Sequence, residues 1–146
     1  MSPHQAKAEM LVRSSAQSVF DAFVDPGTLA RFWLDKASGP LAPGATVQWE
    51  FKVPGARETV EVTHFDAPRR LGFNWSDGVH VDMAFTAHPS GATVASVVAT
   101  GFGTADAAIG ATEGFSVVLC DLKTLLESGR SANLVRDKAA LIAGAT

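Results

Sequence analysis

The segment from Asp106 to about Ser128 reads as one long amphipathic helix, and it constrains the fold more than any other stretch. Ala111, Phe115, Val118, Leu119, Leu122, Leu125 and Leu126 recur at spacings of three and four. On a 3.6-residue repeat they form a single stripe, which must be buried against something broad. At ~1.5 Å per residue the helix runs roughly 35 Å, enough to lie across an entire sheet. Gly110 and Gly114 each weaken it by roughly 1 kcal/mol relative to Ala, a cost usually tolerated for close approach or mobility.

What the helix lies on is written in the central half of the chain, which alternates with period two. Val47, Trp49 and Phe51 face one side, with Gln48, Glu50 and Lys52 on the other. Val60 and Val62 continue the pattern, followed by Leu71, Phe73 and Trp75, and then by Val79, Val81, Met83 and Phe85. Pro54-Gly55, Asp77-Gly78 and Ser90-Gly91 supply the turns. An edge strand over Ala8 to Arg13 precedes them, and a last one runs from about Ala92 to Thr100. Two short helices are expected after the first strand. Ser15 caps one carrying Val19, Phe20 and Phe23; Asp25 and Pro26 open the other, carrying Leu29, Phe32 and Trp33. Gly and Pro between Ser38 and Ala45 mark a loop. The expected fold is α+β: a curved antiparallel sheet of about six strands gripping one long C-terminal helix, in a single domain over residues 1–146.

Composition narrows the function. A chain of 146 residues can bury close to ~70% of its unfolded surface without staples. A net charge of −3 with no basic run argues against nucleic acid as partner. One cysteine, Cys120, excludes an intrachain disulfide and suggests a reducing compartment. Met1 to Lys7 lacks a signal core and no apolar run reaches ~18 residues, so a cytoplasmic protein without a membrane span is expected.

The order of elements, with local signatures along almost the whole chain, resembles the START-like (SRPBCC, birch-pollen-allergen-like) superfamily. More narrowly it resembles the branch named after the activator of heat-shock protein 90 ATPase. The resemblance is carried by Val19-Phe20-Asp21-Ala22-Phe23, Asp25-Pro26 and Arg31-Phe32-Trp33. Gly39-Pro40, Pro43-Gly44 and Trp49 extend it, as do Ala67-Pro68-Arg69-Arg70-Leu71 with Phe73 and Trp75. Gly91-Ala92-Thr93, Gly101-Phe102, Glu113-Gly114-Phe115 and Leu122 to Glu127 complete it, and Asn133 to Asp137 resembles a tail in part of the family. The resemblance implies a helix-grip fold with a cavity suited to an apolar small molecule. It also suggests a chaperone, or a second copy in a homodimer, as partner.

The leading expectation is a binding protein for an apolar or lipid-like molecule, with the cavity between sheet and long helix. Its expected lining is Phe20, Phe32, Trp33, Trp49, Val62, Phe73, Trp75, Val81, Met83, Phe85, Phe115 and Leu119. The three tryptophans suit either a pocket mouth or ordinary core. A co-chaperone-like interaction domain would use Glu50, Glu61, His80 and Asp82, or Arg69 and Arg70. A cyclase or hydratase would need a polar group pointing into the cavity, and alternation supplies none. His64, His80 and His88 share no ligand spacing, so neither a metal nor a cofactor is expected. Arg69 and Arg70 are expected to tie loops down through carboxylates such as Asp66, and Cys120 to fill space.

Overall fold

The computed structural model describes residues 4–144. The chain runs β1 (Gln5–Val12), α1 (Ala16–Val24), α2 (Pro26–Phe32), β2 (Leu34–Ala37), β3 (Thr46–Phe51), β4 (Arg57–Asp66) and β5 (Arg70–Trp75). It continues through β6 (His80–Ala87), β7 (Thr93–Thr100), α3 (Ala105–Ser128) and α4 (Leu134–Gly144). The strands form one antiparallel sheet in the order β1-β7-β6-β5-β4-β3-β2. The architecture is the expected α+β helix-grip, with two differences.

The sheet has seven strands rather than six. β2 is four residues long with one buried side chain, Leu34, and its register breaks between Leu34 and Lys36. So short a stretch carries no alternation of its own; its hydrogen bonds come from β3. The second difference is α4, a helix beyond the long one, where a tail was expected. Of its side chains only Ala139 is buried, so the apolar stripe that marks a helix is missing.

Local chemistry explains most element ends. The Ser15 hydroxyl accepts from Ser18 N at 3.1 Å to start α1, and Asp25 Oδ2 accepts from Thr28 N at 2.9 Å to start α2. Thr104 caps α3, and Gly129 closes it in the left-handed region at φ 79°. Gly101, at φ 101°, ends β7 where a Cβ would stand 2.5 Å from Gly78 O, so only glycine fits there.

The inward face follows the alternation. Val47, Trp49, Val60, Val62, Leu71, Phe73, Val81, Met83 and Phe85 are all buried in one core. β4 carries a register shift between Val62 and His64. Strict alternation would turn His64 inward, but the bulge leaves it exposed and brings Phe65 against Phe20, ring centroids 5.1 Å apart. On α3, Phe115, Val118, Leu119, Leu122 and Leu125 are buried, while Ala111 and Leu126 are half-buried.

The C-terminal half of α3 is tied to β1. Lys123 Nζ donates to Leu11 O at 2.6 Å and to Glu127 Oε2 at 2.7 Å, and Arg13 N donates to the same carboxylate at 2.8 Å. The Lys123 hydrogen bond, followed by that from the Arg13 backbone, holds the Glu127 carboxyl below the usual glutamate range. Two predictions follow from this packing. Trp49, with no exposed surface, should cost ~3–5 kcal/mol when cut to Ala in denaturant melts. Glu127→Gln should destabilise the protein at neutral pH. Because the folded-state pKa is depressed, that deficit should vanish as the pH falls through it, which melts of both proteins across the acid range would check.

Candidate functional site

Near the β3–β4 end of the sheet the N-terminal half of α3 does not close onto the strands, and a cavity of about 280 Å³ opens between them. Aromatic side chains from three elements build its floor. Trp33, which ends α2, packs edge-on to Trp49 at 5.0 Å. Phe51 from β3 meets Trp75 from β5 at 5.7 Å in a T-shape. Trp75 in turn stacks on Phe115 of α3, with centroids 5.9 Å apart and planes 11° from parallel.

One wall is the face of α3 made by Ala111, Gly114, Phe115 and Val118. A Cβ built at Gly114, or at Gly110, would meet nothing within 4 Å. These glycines therefore do not serve a close approach; at Gly114 the missing side chain is part of the hollow. The opposite wall is α4, through Val135, Lys138, Ala139 and Ile142. The β3–β4 loop closes the rim with Lys52, Val53 and Ala56.

The α4 wall is held by a group that sequence reasoning passed over. Asp121 on α3 is 1% exposed. Its Oδ1 accepts from Ser131 Oγ at 2.5 Å, and its Oδ2 accepts from Val135 N, in the first turn of α4, at 3.1 Å. The carboxylate thus does what an N-cap does, from another helix. The available signal was position: Asp121 is three residues after Val118 and four before Leu125, inside the apolar stripe. On the outer side Lys138 is ion-paired with Glu113, which ties α4 to α3 again.

Two side chains of the lining carry a charge. Lys138 is one, already paired. The Lys52 ammonium donates to Ala30 O at 3.3 Å. Burial first, and Arg136 second, push its pKa below the ordinary lysine range, against the opposing pull of Asp35 and Asp121. Trp75 Nε1 is shut off from solvent and without a hydrogen-bond partner, as is Trp49 Nε1 deeper in the core.

Of the residues expected to line a cavity, Trp33, Trp75 and Phe115 lie on it. Phe20, Phe32, Trp49, Val62, Phe73, Val81, Met83, Phe85 and Leu119 are instead packed in the core beneath and beside it. The polar candidates lie on the other face of the sheet. His80 Nδ1 is 2.6 Å from Asn74 Oδ1, its Nε2 is 3.1 Å from Asp82 Oδ2, and Arg70 is 3.7 Å from Asp82. Arg69 pairs with Asp66 at 3.2 Å, and Glu50 and Glu61 are exposed. Among the described residues no three His, Cys, Asp or Glu side chains gather as metal ligands, and no helix is long and apolar enough to cross a membrane.

An antiparallel sheet gripping one long helix, with an apolar hollow where the two part, defines the helix-grip class of proteins. A profile of the family described as activator of Hsp90 ATPase homolog 1-like protein matches residues 13–127, and the chain belongs to that family. Among solved structures it is similar to protein SSP2350 of Staphylococcus saprophyticus, with TM-score 0.78 and 23% identity over 87% of this chain and 94% of that one. The Aha1 dimer of Colwellia psychrerythraea gives TM-score 0.78 and 17% identity over 87% and 98%. DynU16, from the dynemicin biosynthetic locus, gives 0.79 and 24% over 88% of this chain but only 49% of its own. No curated protein matches the chain.

The role given to Asp121 is open to measurement. Asp121→Ala should cost about 1–3 kcal/mol, the usual penalty for stranding buried hydrogen-bond partners. It should also speed hydrogen exchange at amides 134–144 while those of β5 to β7 stay protected; a uniform loss of protection would make Asp121 a general core residue instead.

Proposed function

We propose that the protein binds a small, mainly apolar molecule in the cavity between the Trp33–Trp75 floor and the α3–α4 walls. The observation that carries this reading is the hollow itself. About 280 Å³ of space is walled almost wholly by apolar and aromatic side chains, near the lower end of the ~300–1,000 Å³ usual for ligand sites. The lining is rich in aromatic rings, Trp33, Phe51, Trp75 and Phe115, and the hollow is small, which favours a molecule with one or two fused rings or a short alkyl chain over a long lipid. The lining side chains include no carboxylate, imidazole, hydroxyl or thiol. General acid–base chemistry of the cyclase or hydratase kind therefore has no side chain to work with, apart from the lysines. The co-chaperone reading draws its support from the family alone.

Gly114 supplies the test. A Cβ at Gly114 meets nothing within 4 Å, so Gly114→Leu directs a side chain into the hollow, and it removes a helix penalty of about 1 kcal/mol. A neutral naphthyl probe should shift the tryptophan emission of the wild type. The variant should melt at the same or a higher temperature and no longer respond. Equal probe binding by the two proteins would sink this reading.

A further inference from the structure

Resting on that reading, we infer that the natural occupant is an amphipathic carboxylate, an aryl or short alkyl acid. Its acid group meets Lys52 at the rim, and its apolar part lies over Trp75 and Phe115.

The polar groups of the site are all donors. An ammonium offers three N–H groups, and Lys52 spends one of them on Ala30 O. That carbonyl belongs to the last turn of α2, where the helix end favours a cation. No ion pair among the described residues includes Lys52. The second lysine of the lining, Lys138, is neutralised by Glu113, so Lys52 is the lining lysine without a direct ion pair, with Asp35 and Asp121 acting on it only from farther off. No side chain of the lining can accept a hydrogen bond.

Such a site discriminates by sign. A ligand bearing only donors, or a cation, finds no side-chain partner and faces Lys52, with Arg136 close enough to depress the lysine's pKa. A neutral apolar ligand gains from burial alone. A carboxylate brings acceptor oxygens to a half-buried ammonium, where a charge-assisted bond is stronger than in open water.

Two probes of the same shape separate this from the cavity reading: 1-naphthaleneacetate and its neutral amide, titrated by calorimetry into the full chain. The acid should bind about tenfold more tightly than the amide, the equivalent of ~1.4 kcal/mol. In Lys52→Met, which keeps the side-chain stem and loses the charge, that ratio should fall to about one, with the far-ultraviolet circular dichroism unchanged. Should the variant not fold, the nitrogen NMR signal of the wild-type Lys52 ammonium gives the same answer, moving with the acid and not with the amide. Equal affinity of the two probes for the wild type, or a ratio that survives in Lys52→Met, would overturn the carboxylate inference and leave the cavity reading standing. If neither probe binds, both fall together.

Discussion

The apolar face of a seven-stranded antiparallel sheet has to be covered along its whole width, and the cover here is divided among elements that do not quite meet. α3 is anchored along β1 by Lys123 and Glu127. α1 covers β6 through Phe20 and Phe23, whose rings lie 5.8 Å from that of Phe85. α2 ends in Trp33, which reaches across to Trp49. With its far half fixed on the edge strand, α3 passes above β3 and β5 at its near half, where Phe115 touches down on Trp75. The hollow beside that contact is what remains uncovered. It costs dispersion contacts, which a bound molecule would recover.

α4 gives this gap a second wall, and a buried carboxylate helps to hold it there. A helix of 11 residues with a single buried side chain has little burial to hold it in place. Asp121 compensates by accepting from both Ser131 and Val135, and Thr124 adds a bond to Ala132 N at 3.0 Å. The family match ends at residue 127, so the wall made by Val135, Lys138, Ala139 and Ile142 lies outside the matched segment. Relatives sharing the fold at 17% to 24% identity can therefore differ in this site without differing in architecture. Fold does not determine what such a cavity holds.

The period-two strands and the 3.6-residue stripe of α3 were legible because burial on one side of a regular element writes a regular pattern. The caps at Ser15 and Asp25 were legible too, since a cap and its target are three residues apart. β2, the bulge at Thr63 and α4 were not. β2 exists through the ladder of β3, the bulge through the register of β5, and α4 through a carboxylate ten or more residues upstream; none of these causes is local. The cavity lining shows the same division. Strand alternation and helix periodicity say which side chains face inward, but of the twelve expected on the cavity only Trp33, Trp75 and Phe115 lie on it.

Which of those inward residues touch empty space and which touch one another is a matter of where α3 and α4 come to rest. By itself the sequence determined the one-sided sheet, the long helix that covers it and the family to which the chain belongs, because these rest on periodicities and short-range signatures. Only the tertiary structure decided that Trp33, Trp75 and Phe115 line a hollow while Trp49 and Phe73 fill the core. It alone brought Lys52 from one end of the β3–β4 loop to the same rim as α4. Distances across a cavity depend on the angle at which helices cross a sheet, and that angle follows from the summed packing of many side chains rather than from any one stretch of sequence.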